Sequence, residues 1–380
     1  MPSAQQTPIS DLEMTPTAGP SSQPALLQSY KRSRLARKKL VRRDDKEYSQ
    51  PLRLGVQLAF LVLNLWIGTQ FYFWVRWAES AGQTGTAARP AGVEGWLPIQ
   101  GLMQFKFVLV TGQIPRIHPA SFFLFLSFAL ISFLFRKSFC GWLCPVGSVS
   151  EYLWKLGRYT FRRNFHLPRA LDLPLRALKY LLLAFFLYAV MSMSAAAIAQ
   201  FLASPYALIV DVRMLNFFRY LGTTAVFVIL GLVLASIVVQ NFWCRYLCPY
   251  GALLGLSALF SPLRITRNQN NCTDCAKCAK ACPVALPVDK LVQIRSAECM
   301  VCLECVAVCP AKDALVVSVT APKVRRAIPV WSVAAGIAIV FCSLVGYAKL
   351  SGQWETNLPK QLYFELVPHA NALRHPMPQR

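Results

Sequence analysis

Acidic residues are scarce in this 380-residue chain: 17 Asp and Glu stand against 40 Lys and Arg, for a formal net charge of +23. The side-chain arrangements of hydrolytic enzymes are missing too. There is no glycine-rich phosphate cradle, no nucleophile elbow and no paired-carboxylate arrangement. Only four histidines occur, and no two share an apolar run at haem-ligand spacing, so no b-type haem is expected. No secretory leader is recognisable, because the first apolar run begins at Leu54 and is too long for a leader's hydrophobic region.

The chain is rich in apolar residues, which make up 55% of it and are gathered into uncharged runs. Residues 54–75, 180–206, 220–243 and 327–348 are each 22 to 27 residues long. A bilayer core about 30 Å thick needs about 20 helical residues, so each of the four can span it. A fifth run, 119–135, has 17 residues and a proline well placed at a helix start. Residues 97–111 are apolar but carry Lys106 near the middle, which suits an interfacial or re-entrant segment. The expected fold is therefore mainly α: a polytopic membrane bundle of about five transmembrane helices.

The positive charge is unevenly placed. Lys and Arg number 10 before the first run, 9 over residues 136–179 and 11 over residues 245–326, against 10 in all the other segments together. Positive charge accumulates in cytoplasmic loops, so the N-terminus and the two internal basic segments are expected inside and the C-terminus outside. The basic run 31–43 then faces anionic membrane lipids as partners, and nucleic acid is not expected as a partner. Residues 1–30, rich in Ser, Pro, Thr and Gln, read as a disordered arm.

Thirteen cysteines carry the chemistry. Cys272, Cys275, Cys278 and Cys282 precede Pro283, and Cys299, Cys302, Cys305 and Cys309 precede Pro310. Both strings read C-x2-C-x2-C-x3-C-P, the spacing of bacterial two-cluster ferredoxins. Three thiolates at intervals of three face one cubane, and the fourth reaches the neighbouring one. Two 4Fe-4S clusters with crossed ligation are expected: Cys272, Cys275, Cys278 and Cys309 on one, Cys299, Cys302, Cys305 and Cys282 on the other. Tetrahedral zinc sites do not use this spacing, and disulfides do not suit a cytoplasmic loop. Residues 314–319 read as a strand closing the module.

A second pair of motifs lies at the ends of apolar runs. FCGWLCPVG contains Cys140 and Cys144, and WCRYLCPYG contains Cys244 and Cys248, with equivalent positions 104 residues apart. This internal repeat suggests two duplicated helical hairpins, each ending in C-x3-CP on the same membrane face. Cysteines four apart at a helix end lie on one side of it, so four soft ligands can converge on a further iron-sulfur or metal site. The alternative is four buried thiols packed beside helix ends. The thirteenth cysteine, Cys342, stands alone in the last run, where apolar packing is its default role.

Paired C-x3-CP motifs followed by two C-x2-C-x2-C-x3-CP strings resemble the NapH/NosR/CcoG-type membrane polyferredoxins, over residues 54–319. The resemblance implies a bacterial inner-membrane protein that passes electrons between the quinone pool or a donor and a redox partner protein. The chain also departs from the family's pattern. There is no large flavin-binding domain and no S-G-A-T string, so no flavin is expected, and a fifth span and tail follow the ferredoxin part. The expected organisation is a basic arm (1–50), a membrane domain (51–263), a ferredoxin domain (264–322), a fifth helix (323–350) and an extracytoplasmic tail (351–380). Two other functions fit the same residues: a metal-reducing assembly factor for a respiratory enzyme, and a regulatory iron-sulfur protein. Of the histidines only His118 sits at a membrane boundary, where it is a candidate quinone or proton ligand. Asp211 is a second proton candidate, or the partner of Arg213 in a salt bridge.

Overall fold

The structure, a computed structural model, describes residues 48–85, 88–162, 165, 167–321 and 324–376. Almost all of the arm expected over residues 1–50, including the basic run 31–43, lies outside the described residues, as does His166.

Helix α1 runs over Ser49–Glu79, and a short 3-10 turn, Ala91–Trp96, leads into α2, Pro98–Thr111. There follow α3 (Pro119–Leu134), α4 (Pro145–Phe161), α5 (Arg169–Ser192), α6 (Val210–Arg219), α7 (Thr223–Val238) and α8 (Pro249–Ser257). Four of these helices open on a proline, whose fixed φ suits the first turn and whose missing N–H would have no partner there. The last long helix, α9, covers Trp331–Leu350.

Among the described residues, three helices are long and apolar enough to cross a membrane: α1, α5 from Ala170 onward, and α9. A fourth crossing arises if α6 and α7, bent by 84° at their junction, are one span. Helix α3 is apolar but has only 16 residues.

The run 180–206 is not one continuous helix, and charge explains where it breaks. Lys106 of α2 places its ammonium against the last carbonyls of α5, 3.1 Å from that of Val190 and 2.8 Å from that of Met191, with Met193 completing the set. A cation at a helix C-terminus stabilises that end. Ser194 then caps a new short helix, Ala195–Leu202, accepting the Ala197 N–H at 3.1 Å. The apparent intruder in the apolar stretch 97–111 thus serves as the stop of a neighbouring helix.

The small sheet has the order β1-β2-β3, all antiparallel: β1 Leu263–Arg267, β2 Leu315–Ala321, β3 Val324–Ala327. Ile265 stands opposite Val317, and both are buried. The strand read over residues 314–319 is therefore β2. Its partners β1 and β3 are short and each carries two arginines, which hid them. One apolar core runs from this sheet through the cysteine loops to Phe139, Trp142 and the end of α3. Residues 351–376, expected only as a tail, instead pack back on the bundle: Tyr363, Val367 and Ala370 are buried against Phe71, Trp74 and Val212.

Candidate functional site

The two cysteine strings fold into loops of matching shape. In the first, Asp274 and Ala276 adopt positive φ, at 54° and 55°; in the second, Val301 and Leu303 do so at 49° and 61°. These are equivalent positions, two and four residues after Cys272 and Cys299. A β-branched residue such as Val301 rarely enters this region, so such conformations persist only where surrounding structure imposes them. Alternating left- and right-handed backbone turns N–H groups toward one centre, a geometry that recurs at iron-sulfur sites.

Each loop borders a hollow. One is lined by Cys272, Cys275, Cys278 and Cys309, the other by Cys282, Cys299, Cys302 and Cys305. Backbone N–H groups point at sulfur at both, from Asp274 to Cys272 Sγ at 3.4 Å and from Leu286 to Cys282 Sγ at 3.4 Å. Hydrogen bonds to the sulfurs are among the features that set a cluster's potential. Among the described residues no group of three or more His, Cys, Asp or Glu side chains is placed to hold a single metal ion. Four soft donors around a hollow fit a cubane, which spreads its ligands over four separate irons.

The hollows differ in exposure. Cys275 faces solvent, whereas Cys282, Cys299 and Cys305 are buried. The buried hollow is the one nearest the bundle. Trp142 donates its indole N–H to the Val301 carbonyl at 2.9 Å. A Cβ on Gly141 would stand only 2.8 Å from the Met300 carbonyl oxygen, so the loop between Cys299 and Cys302 lies directly on the first C-x3-CP motif. Beside this contact, Arg53 of α1 is 2% exposed and binds Glu151 at 2.5 Å and Glu304 at 3.2 Å. Glu304 lies between Cys302 and Cys305, so this buried ionic group ties the loop to α1 and α4.

Cys140, Cys144, Cys244 and Cys248 line one further cavity of about 910 Å³. The members of each pair do not share one helix face, as their spacing suggested. Cys140 sits in a short helix, Ser138–Trp142, and Cys144 is the extended residue that starts α4; Cys244 lies in the turn Trp243–Leu247, and Cys248 starts α8. Each motif is thus a helix, a break and a new helix opening on proline. The second cysteine of each pair faces a helix N-terminus, where the dipole favours a thiolate, and Cys248 Sγ accepts the Gly251 N–H at 3.2 Å. A Cβ on Gly147 would collide with the Cys140 carbonyl, which accounts for that glycine.

Burial works against ionisation here. It pushes the Cys144 thiol up to about 11 despite the N–H groups of Gly147 and Val146, and it raises Cys140 further. Such thiols stay protonated at neutral pH unless a cation displaces the proton. Lys137, which the sequence did not single out, is buried on the same wall, 3.6 Å from Glu298. Burial disfavours its charge, but Glu298, next in sequence to Cys299, together with the sulfurs of Cys140, Cys248 and Cys244, outweighs burial and keeps its pKa above the ordinary lysine value.

The cavity wall is otherwise largely apolar and aromatic, including Phe60, Trp66, Phe128, Tyr250 and Phe341, and it reaches Arg89. His118 is not on this wall. It is fully buried one side chain behind it, with Nδ1 2.9 Å from Arg89 Nη2 and 3.0 Å from Glu94 Oε1. Asp211 pairs with Arg89, at 2.6 Å, and not with Arg213. Arg213 instead donates to the carbonyls of Ala370 and Leu373 in the packed tail. Arg89 and Glu94 lie between apolar runs, where nothing in the pattern distinguishes them from loop charges.

Comparison with known proteins follows the same lines. The family described as "4Fe-4S binding domain" matches residues 117–168 and again 221–267, once around each C-x3-CP motif. The "4Fe-4S dicluster domain" family matches residues 264–310. A protein named for electron transport, YccM of Escherichia coli (strain K12), is 46% identical over 326 residues, 85% of this chain and 91% of that protein. The regulatory protein NosR of Pseudomonas aeruginosa is 32% identical over 56% of this chain and 29% of its own length. The ferredoxin-type protein NapH of E. coli is 26% identical over 46% of this chain and 59% of its own. No solved structure matches.

Proposed function

This chain belongs to the NapH/NosR-type membrane polyferredoxins, which makes it a membrane-bound iron-sulfur electron-transfer protein, and from that premise we propose the route its electrons take. The route is linear. A soluble redox protein meets the outer cluster, held by Cys272, Cys275, Cys278 and Cys309. The inner cluster, held by Cys299, Cys302, Cys305 and Cys282, comes next. A metal-sulfur site on Cys140, Cys144, Cys244 and Cys248 then faces a quinone in the cavity.

One observation carries this reading: the three sets of four cysteines border three separate hollows, the first with Cys275 at the surface, the second with three buried cysteines against the bundle, and the third part of a large, mostly apolar cavity. A pocket of this size, apolar with a few polar groups, suits an aromatic redox lipid. The repeated family match around the C-x3-CP motifs supports iron-sulfur binding there and a duplicated hairpin.

The same geometry supports five crossings. Helix α1 starts beside Cys302, whose carbonyl accepts Gln50 Nε2 at 3.0 Å, and ends where Glu79 meets Arg219. Helix α3 starts at His118 and returns to the module, where the Arg136 N–H donates to Ser261. Helix α5, the bent pair α6 and α7, and α9 complete an alternating set, with the ferredoxin module on the basic, cytoplasmic face of the inner membrane.

Anaerobic iron and sulfide analysis tests the centres. About eight of each is expected from the two cubanes, and more from the third site. Loss of that excess in Cys144→Ser with Cys248→Ser, and reduction of the clusters by a short-chain quinol, support the route; a zinc-only protein would refute it.

A further inference from the structure

The cavity ends at Arg89, on the side of the bundle away from the ferredoxin module, and behind Arg89 lies a buried charged group with no part in holding clusters. Its members come from four segments. Arg89 and Glu94 precede α2, His118 opens α3, Asp211 lies in α6, and Thr356 comes from the packed tail. Arg89 gives Nη1 to Glu94 at 2.8 Å and Nη2 to Asp211 at 2.6 Å. The Thr356 hydroxyl is 3.3 Å from Glu94 Oε1, and Tyr363 of the tail faces the same charges. Two carboxylates against one guanidinium leave this buried group one negative charge in excess unless His118 carries a proton.

His118 is placed to hold or release that proton without losing a hydrogen bond. Its Nε2 is 3.1 Å from the carbonyls of both Ala207 and Leu208, which only accept, so Nε2 bears hydrogen. Its Nδ1 stands between a donor, Arg89 Nη2, and an acceptor, Glu94 Oε1. Neutral, Nδ1 accepts from Arg89; protonated, it donates to Glu94. The backbone fixes the ring in place. His118 has φ 53°, its N–H donates to the Thr356 hydroxyl at 3.0 Å, and its carbonyl accepts from Gln104 Nε2 at 3.1 Å.

We propose that Glu94 and His118 form a proton-exchange site for the redox ligand of the cavity, with Arg89 as the group that meets the ligand's oxygen, and that the proton is exchanged with the side of the membrane opposite the ferredoxin module. This rests on the quinone reading above. When Arg89 turns an N–H toward a ligand oxygen, Nδ1 loses its donor, and the protonated form, bound to Glu94, becomes the satisfied one. For a quinol, two O–H bonds break. The two electrons would leave one at a time by way of the iron-sulfur groups that Cys140, Cys144, Cys244 and Cys248 and the ferredoxin cysteines would hold, to a one-electron carrier protein. The first proton passes to Nδ1 and on past Thr356 to the far surface, and the second follows it. Quinone reduction runs the same steps backwards.

The test uses the whole protein in oriented proteoliposomes, given a short-chain quinol and, on the module side, a one-electron acceptor. Two protons per quinol are expected in the compartment opposite the module; protons on the module side overturn the proposal. In a second measurement, His118→Gln should slow reduction of the clusters by quinol by about 100-fold or more, the scale of lost acid-base catalysis. Its dithionite-reducible iron-sulfur absorbance and its binding of a quinone analogue should be unchanged. Quinol reduction at the wild-type rate in His118→Gln overturns the proton site and leaves the quinone reading standing. A wild-type protein that binds no quinone analogue overturns both. If His118→Gln does not assemble, the side of proton release in the wild type still decides.

Discussion

The indole N–H of Trp142 donates to the backbone carbonyl of Val301 across 2.9 Å, joining the first C-x3-CP motif to the loop between Cys299 and Cys302. Trp142 is fully buried, so this bond sets how closely the ferredoxin module sits against the bundle. Replacing Trp142 with Phe leaves a buried carbonyl without its partner, at a cost of about 1–3 kcal/mol. The variant is expected to keep its iron content and melt at a lower temperature, as followed by loss of cluster absorbance on heating. An unchanged melting temperature would show that the bond does not hold the module.

Gly141 sits where a Cβ would press on the Met300 carbonyl at 2.8 Å. Backbone cannot withdraw as a side chain can, so Gly141→Ala is expected to push the Met300 loop, with Cys299 and Cys302, away from Cys140. Slower electron exchange between the cavity side and the clusters is expected, at full cluster occupancy, in a rapid-mixing experiment that follows cluster bleaching after addition of quinol.

Arg53 is buried between Glu151 and Glu304. Removing one member of a buried ion pair strands the other charge and costs about 3–5 kcal/mol. Glu151→Ala is therefore expected to destabilise more than Trp142→Phe does, and Glu151→Gln less than Glu151→Ala because the amide keeps one acceptor. Parallel thermal melts of the three variants check the order.

The same group gives the pH dependence. Burial opposes ionisation of Glu151, but its hydrogen bond with Arg53 and the charges of Arg53 and Lys155 outweigh burial and hold its pKa below the ordinary 4.5. Burial likewise opposes the charge of Lys155, and Glu151 and Glu304 together outweigh it, holding its pKa above the ordinary 10.5. The carboxylate's contribution is fully present above 4.5 and is lost as pH falls through its folded value. The ammonium's is fully present below 10.5 and is lost as pH rises through its own. The contribution of this pair to stability, read as the difference between wild type and Glu151→Gln, should be flat between these limits and fall outside them. In Glu151→Gln the acid limb should shrink.

Crossed ligation makes a separate prediction. Cys309→Ser should alter the cluster of Cys272, Cys275 and Cys278 and leave that of its own string unchanged. Paramagnetic spectra of the reduced protein distinguish the two, and a change confined to the cluster of Cys299, Cys302 and Cys305 would overturn the crossing.

The grouping of the eight ferredoxin cysteines into two sets was legible because it is largely a local affair. Three thiols on one tight loop are fixed by spacing alone, and Cys309 stands with Cys272 at one hollow as the signature requires. The long apolar helices were legible for a similar reason, since spanning a bilayer is a matter of length and polarity. Other features had no sequential trace. That Lys106 ends α5, that α6 and α7 bend, and that Cys140 and Cys144 are parted by a helix break follow from contacts between segments that lie far apart in the chain. Sequence alone thus determined an iron-sulfur chemistry and helices apolar and long enough for a membrane, because both depend on residue type and spacing. Only the tertiary structure decided that Asp211 pairs with Arg89 and not with nearby Arg213, that His118 is enclosed and not solvated, and that the cavity runs from four cysteines to this buried charge. A buried charge takes whichever partner packing brings within reach, and that distance is set by the whole fold.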